Sequence, residues 1–139
     1  MSIDSRVLID TNILVFSIDL DSEKHEIAKE LVKKHCLQGT AVLSAQNLAE
    51  FVFVVTEKTK KLSAEEANLF VHDLMDNSNV ITYSGKEVVR ASQLTSKGLH
   101  FFDALIVATM ENAKVFTILT DNDRDFKKAS GIEVINPFR

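Results

Sequence analysis

With 139 residues, 45% of them hydrophobic and no compositional break, the chain is long enough for one domain, residues 1–139, burying roughly two-thirds of its unfolded surface without disulfides or structural metal. A single cysteine, Cys36, excludes an intrachain disulfide framework or a cysteine zinc cluster, and the net charge of −4 argues against a broad cationic surface for duplex DNA. The N-terminus lacks the basic, apolar and small-residue regions of an export signal and no apolar run is long enough to span a bilayer, so a soluble protein of the reducing cytoplasm is expected, with no membrane partner.

Residues 6–9 are short, largely apolar and bounded by Asp10-Thr11-Asn12, which predicts a buried strand ending in a turn or helix start with Asp10 at its carboxyl end. Residues 23–37 place Ile27, Ala28, Leu31 and Val32 among charges at helical spacing, and Gly39 follows as a stop. A second strand is expected over 41–44 and a long helix over 45–60. Phe51 to Val55 alone has strand composition, but no Gly or Pro interrupts the longer stretch and it ends in lysines. Ser63-Ala64-Glu65-Glu66 has the form of a capping box and starts a helix running to about Met75. Then come a strand at 79–83, a helix at 86–97 closed by Gly98, a helix at 103–112 and a strand at 115–119. A short helix at 123–129 and a strand at 133–135 precede Pro137. This alternation predicts an α/β fold, three-layer α/β/α around a central mainly parallel β-sheet, in which ligands bind outside the carboxyl ends of the strands.

Four acidic signals stand at the edges of these apolar runs. They are Asp10, Glu50 in Asn47-Leu48-Ala49-Glu50-Phe51-Val52-Phe53, Asp103 in Phe101-Phe102-Asp103-Ala104-Leu105-Ile106-Val107, and the turn Thr120-Asp121-Asn122-Asp123-Arg124-Asp125-Phe126. An ionised carboxylate against buried surface is costly unless paired or metal-bound, and one shared cation site explains all four. Each also has a local explanation: Asp10 and Asp103 as helix caps, Glu50 as a surface residue, and the aspartates after Thr120 as turn-formers. Grouped carboxylates raise one another's pKa until a hard cation neutralises them; with no thiolate pair and no spaced histidines, Mg²⁺ or Mn²⁺ is expected. His25, His35, His72 and His100 show no metal-ligand spacing and are expected in surface or packing roles.

Ile9-Asp10-Thr11-Asn12, Ser44-Ala45-Gln46-Asn47-Leu48-Ala49-Glu50-Phe51, Phe102-Asp103-Ala104-Leu105-Ile106-Val107-Ala108-Thr109, and Leu119-Thr120 followed by Asp-rich sequence and Asp125-Phe126 occur in this order along the chain. With them the chain resembles, over nearly its whole length, the PIN-domain family, and within it the VapC ribonuclease toxins of VapBC toxin–antitoxin pairs. The resemblance implies a metal-dependent endoribonuclease leaving 5′-phosphate and 3′-hydroxyl ends, an antitoxin partner and a homodimer. It puts Asp10, Glu50 and Asp103 on the family's acidic positions.

The fourth position departs from the pattern: many relatives place Asp two residues after the strand-ending Thr, where this chain has Asn122 between Asp121 and Asp123. Asp121 is nearest the strand end, and a one-residue shift exchanges it with Asp123. The expected catalytic set is therefore Asp10, Glu50, Asp103 and Asp121. The expected metal ligands are Asp10, Asp103, Asp121 and Asp123, with Thr11, Asn12, Thr120 and Asn122 orienting water or substrate. One cation would activate water for in-line attack and a second, about 3.5–4 Å away, would stabilise the leaving oxygen. RNA with exposed single-stranded or structured loops is the expected substrate. Asn122 also motivates a second reading, a catalytically weak or inactive PIN-like module that binds RNA or protein. A receiver domain would need its nucleophilic Asp on a middle strand and a late strand-end Lys, and a haloacid dehalogenase would need Asp where Asn12 stands.

Overall fold

The computed structural model describes residues 5–139. Five short strands, β1 (Val7–Ile9), β2 (Ala41–Ser44), β3 (Asn79–Ile81), β4 (Thr117–Leu119) and β5 (Glu133–Ile135), pair in the order β3-β2-β1-β4-β5. Every pairing is parallel. The helices are α1 (Thr11–Phe16), α2 (His25–Gln38), α3 (Ala45–Phe53), α4 (Ala64–Asp76), α5 (Gly85–Leu94), α6 (Phe101–Ala113) and the short α7 (Asp123–Phe126).

Alternation along the strands divides the core in two, because successive side chains leave opposite faces of a sheet. Leu8, Val42 and Ile118 join Ala91 and Leu94 of α5, the apolar face of α6 and Phe126. Val7, Ile9, Ala41, Leu43 and Leu119 join Ile13 and Leu14 of α1, Ala28 of α2, Phe51 of α3 and Leu74 of α4. The chain thus steps β1→β2→β3 with its helices on one face, then returns past β2 and β1 to β4 with α5 and α6 on the other. Parallel crossovers are right-handed, so reversing the direction of travel moves the helices across the sheet. The reversal falls between β1 and β4, and the crevice at their carboxyl ends is where ligands bind in such folds. Leu8 pairs with Ile118 and Ile9 with Leu119, which sets Asp10 and Thr120 side by side at that point.

Several element boundaries differ from the sequence expectation. The helix over 45–60 is α-helical only to Phe53 and widens into a π-helical turn, Val54–Lys58, closed by Thr59 N–H donating to the Val54 carbonyl at 2.8 Å. The helix predicted to begin at Asp103 begins at Phe101: His100 is its N-cap, its Nδ1 accepting from Phe102 N–H at 3.4 Å, and Asp103 sits in the first turn. Capping is therefore not the reason for Asp103. Residues 115 and 116 precede β4, because Lys114 closes α6 in the left-handed region (φ 57°) and Val115 N–H returns to the Met110 carbonyl. The third strand stops at Ile81, and α5 tightens into a 3₁₀ turn at Thr95–Lys97 before Gly98 at φ 91°. The Ser63 capping box and the left-handed Gly39 (φ 71°) that ends α2 match expectation. Among the described residues no helix is long and apolar enough to cross a membrane.

Candidate active site

Asp10 ends β1 and caps α1, so its position is fixed by the strand on one side and the helix start on the other. The residue is 6% exposed and its carboxylate is saturated with donors. Oδ1 accepts from Thr11 N–H at 2.8 Å and from Asn47 Nδ2 at 3.1 Å; Oδ2 accepts from Thr120 Oγ1 at 2.7 Å and from Asn12 Nδ2 at 3.3 Å. Burial nevertheless outweighs the Thr120 and Thr11 hydrogen bonds, and the charges of Glu50 and Asp103 act in the same sense as burial, so the carboxyl is pushed up to about 6. The helix cap is real, but it leaves this carboxyl short of positive charge.

Glu50 reaches the same place from α3. Its Oε1 accepts from Gln46 Nε2 at 3.1 Å, one turn back on the helix, and its Oε2 lies 3.5 Å from Thr11 Oγ1. Gln46 also donates to the Phe102 carbonyl at 3.0 Å, tying α3 to the start of α6, which carries Asp103. Asp103 accepts no hydrogen bond from the described residues. Partial burial raises its pKa, and the negative charges of Asp125 and Glu50 raise it further against the opposing effect of His100 and Lys128. Asp10, Glu50 and Asp103, from three separate elements, line one open cavity of about 320 Å³ together with Thr11, Asn12 and Asn122; Val15, Phe16, Val54 and Ile106 form its apolar wall.

The acidic turn after β4 behaves differently. Thr120 accepts from Asn122 N–H at 2.9 Å, and Asp121 N–H donates to Asn12 Oδ1 at 3.0 Å, so the turn is fastened to the Asp10 cluster through its backbone. Only Asn122 of the turn faces the cavity. Asp121 is ion-paired with Lys24 at 2.7 Å. Asp123 is buried, accepts from Asn136 Nδ2 at 3.0 Å and lies 3.4 Å from an Arg139 guanidinium nitrogen. The Asn136 hydrogen bond, aided by Arg139 and Lys127, holds Asp123 below the ordinary carboxylate range. Asp121 and Asp123 instead line a neighbouring depression with Arg124, Asp125 and Arg139.

Two residues to which the sequence assigns no role act on this site, one through hydrogen bonds and one through charge. Asn47 is fully buried: its N–H donates to Ser44 Oγ at 2.9 Å, its Oδ1 accepts from Ser44 Oγ–H at 2.6 Å, and its Nδ2 donates to Asp10 and to Thr11 Oγ1. The signal available was an amide three residues before Glu50 in an otherwise apolar helical stripe, since a buried amide must find partners. Asp125 is the second, through its charge on Asp103. No histidine lines the cavity: His25 packs against the Phe16 carbonyl, His35 against Thr40, His72 is exposed and His100 is the α6 cap.

Among the described residues no three His, Cys, Asp or Glu side chains are gathered tightly enough to hold a metal ion as they stand. The chemistry of the lining still fits a hard divalent cation. It offers carboxylate, hydroxyl and amide oxygens, one carboxyl pushed to about 6 by burial and a second without any hydrogen-bond donor. Asp10, Glu50 and Asp103 are the carboxylates that the lining would offer to such an ion.

The PIN domain family model matches residues 7–132. No curated protein sequence matches the chain. Among solved structures the chain is similar to a toxin–antitoxin complex from Klebsiella pneumoniae, at 27% identity and TM-score 0.67 over 94% of this chain and 97% of that one. It is also similar to VapC20 of Mycobacterium tuberculosis, described as a sarcin–ricin-loop-cleaving toxin, at 17% identity and TM-score 0.73 over 94% and 99% of the two chains. DNA-bound VapBC from Salmonella typhimurium gives 19% identity and TM-score 0.71 over 95% and 98%. At the two lower identities the likeness is one of fold. Both the matched span and the all-parallel sheet with its crevice beside β1 lead to one assignment: the chain belongs to the PIN-domain family.

Proposed function

We propose that the chain is a divalent-metal-dependent endoribonuclease, the toxin of a toxin–antitoxin pair. The observation that carries this reading is the convergence of Asp10, Glu50 and Asp103, from three elements, on one cavity at the point where the sheet reverses direction. A bound Mg²⁺ or Mn²⁺ would supply positive charge at the phosphodiester and lower the pKa of a water. Asp10 and Asp103 would hold the cation. Glu50, steadied by Gln46, orients the attacking water and takes its proton at Oε2, the oxygen facing Thr11. Thr11, Asn12 and Thr120 fix the Asp10 carboxylate, and Asn122 offers its amide to the substrate at the cavity edge. Asp121 and Asp123, expected in the site from sequence, act from outside the lining.

RNA is the proposed substrate, because an open carboxylate-lined cavity supplies chemistry without base readout and exposed loops bring the phosphodiester within reach. The toxin–antitoxin complexes among the similar folds support an antitoxin partner. A cytoplasmic homodimer of this one-domain chain completes the reading. The test is cleavage of tRNA, rRNA and mRNA by antitoxin-free protein in Mg²⁺ and in chelator. Folded Asp103→Asn and Glu50→Gln proteins are expected to lose about a hundredfold or more in rate; cleavage equal to the parent's would refute the assignment. Asn122 in the lining, where many members of the family place Asp, favours the second reading, a PIN-like binding module. Folded protein that binds RNA in Mg²⁺ and leaves every RNA class intact would establish it.

A further inference from the structure

The turn after β4 brings Asp121 and Asp123 to the edge of a cavity whose carboxylates already repel one another, yet both are tied elsewhere. Lys24 Nζ sits 2.7 Å from Asp121 Oδ2, and it also lies over the rings of Phe16 and Phe138, 5.1 and 5.2 Å from their centroids. Those rings meet edge to face at 5.6 Å, and Phe16 lines the cavity. Asn136 closes the other side. Its Nδ2 lies 3.3 Å from both the Asp121 carbonyl and Oδ1 and 3.0 Å from Asp123 Oδ1, while its Oδ1 accepts from Phe138 N–H at 2.9 Å. Arg139 adds its guanidinium to Asp123.

Three separated stretches therefore meet: the approach to α2, the turn after β4 and the C-terminal tail. The tail residues involved lie beyond the span 7–132 that matches the family model. With both carboxylates engaged, the turn presents Asn122, a neutral side chain, to the cavity.

We infer that Lys24 and Asn136 form a clamp that holds Asp121 and Asp123 off the cavity, so that Asp10, Glu50 and Asp103 are the carboxylates that line it and Asp121 becomes a ligand only when the clamp is opened. Lys24 and Asn136 are positioning residues; neither lines the cavity. The inference rests on the reading that this cavity holds a divalent cation.

The test is calorimetric titration of Mn²⁺ into the full chain as parent, Asp121→Asn, Lys24→Met and the double variant, with thermal melts confirming the fold. Lys24→Met keeps the side-chain stem between Phe16 and Phe138. Asp121→Asn alone is expected to stay within about twofold of the parent, Lys24→Met to tighten Mn²⁺ about tenfold, and the double variant to lose that gain. Asn136→Ala opens the clamp by a second route and is expected to tighten Mn²⁺ in the same sense. A tenfold loss in Asp121→Asn alone would make Asp121 a ligand in the native protein and overturn the clamp. So would a Lys24→Met gain that survives in the double variant, since it would then reflect only the lost positive charge, and so would a cycle with no change anywhere. Absence of Mn²⁺ binding in the parent would overturn the metal reading itself, and the clamp with it.

Discussion

Replacing Asp10 by Asn is expected to stabilise the metal-free protein while removing its activity. In the folded chain the Asp10 carboxyl is pushed from 3.8 up to about 6, chiefly by burial, which corresponds to about 3 kcal/mol against its ionised form. Below 3.8 the group is neutral in both folded and unfolded chains and adds no penalty. Between 3.8 and about 6 the unfolded chain ionises while the folded one keeps its proton, so stability falls as pH rises; above about 6 the penalty is complete. Asn keeps an oxygen for Thr11 N–H and Asn47 Nδ2, but its new amide meets Thr120 Oγ1, which already accepts from Asn12 Nδ2 and Asn122 N–H and whose hydroxyl loses its acceptor, at a cost of about 1 kcal/mol. The new amide must also face the Asn12 amide, now 3.3 Å from Oδ2, at a further cost of about 1 kcal/mol. The net gain at about pH 8 in chelator is ~1 kcal/mol, or roughly 2–5 °C in Tm. Urea and thermal melts of both proteins across pH measure it. A variant no more stable than the parent at alkaline pH, or a difference that does not shrink as pH falls through 6 towards 3.8, would refute the electrostatic reasoning. Saturating Mn²⁺ should reverse the order, stabilising the parent and leaving Asp10→Asn unmoved.

Asn47→Ala breaks its side-chain links to Ser44, Asp10 and Thr11 and leaves a void beside the buried carboxylate; urea unfolding is expected to show a loss of about 2–4 kcal/mol, and a loss below about 1 kcal/mol would mean that the amide is dispensable. Mn²⁺ affinity is expected to weaken as pH falls through about 6, because protons compete for Asp10 and for Asp103, whose pKa is also raised; a titration series giving pH-independent affinity would place the metal elsewhere. Gln46→Ala releases Glu50 from its helix neighbour and is expected to lower kcat about tenfold with KM little changed; single-turnover and steady-state cleavage together check this, and a rise in KM alone would assign Gln46 to substrate binding.

What the sequence made legible was local. The run Val7-Leu8-Ile9 before Asp10, the left-handed Gly39 and the Ser63–Glu66 capping box each carry their cause within a few residues, and each sits in the fold where that cause places it. The start of α6 was misplaced because Asp is the commoner cap and histidine is a poor signal, yet His100 takes that position. The π-helical turn after Phe53 has the composition of the α-helix it extends, so nothing in Val54–Lys58 marks the widening. Asp10, Glu50 and Asp103 could be singled out because each interrupts an apolar run. The competition between Asp121 and Asp123 could not be decided, since it turns on Lys24, separated by 97 positions from Asp121, and on Asn136. Spacing along a chain does not encode which distant cation will occupy a carboxylate.

Whether carboxylates from the end of β1, from α3 and from α6 act as one cation site is read most directly by titrating Mn²⁺ into the metal-free protein beside Asp103→Asn, with Glu65→Gln on the exposed face of α4 as a control. Binding is expected in the parent and the control, with a loss of about tenfold or more in Asp103→Asn. Equal binding in all three proteins would contradict a shared site.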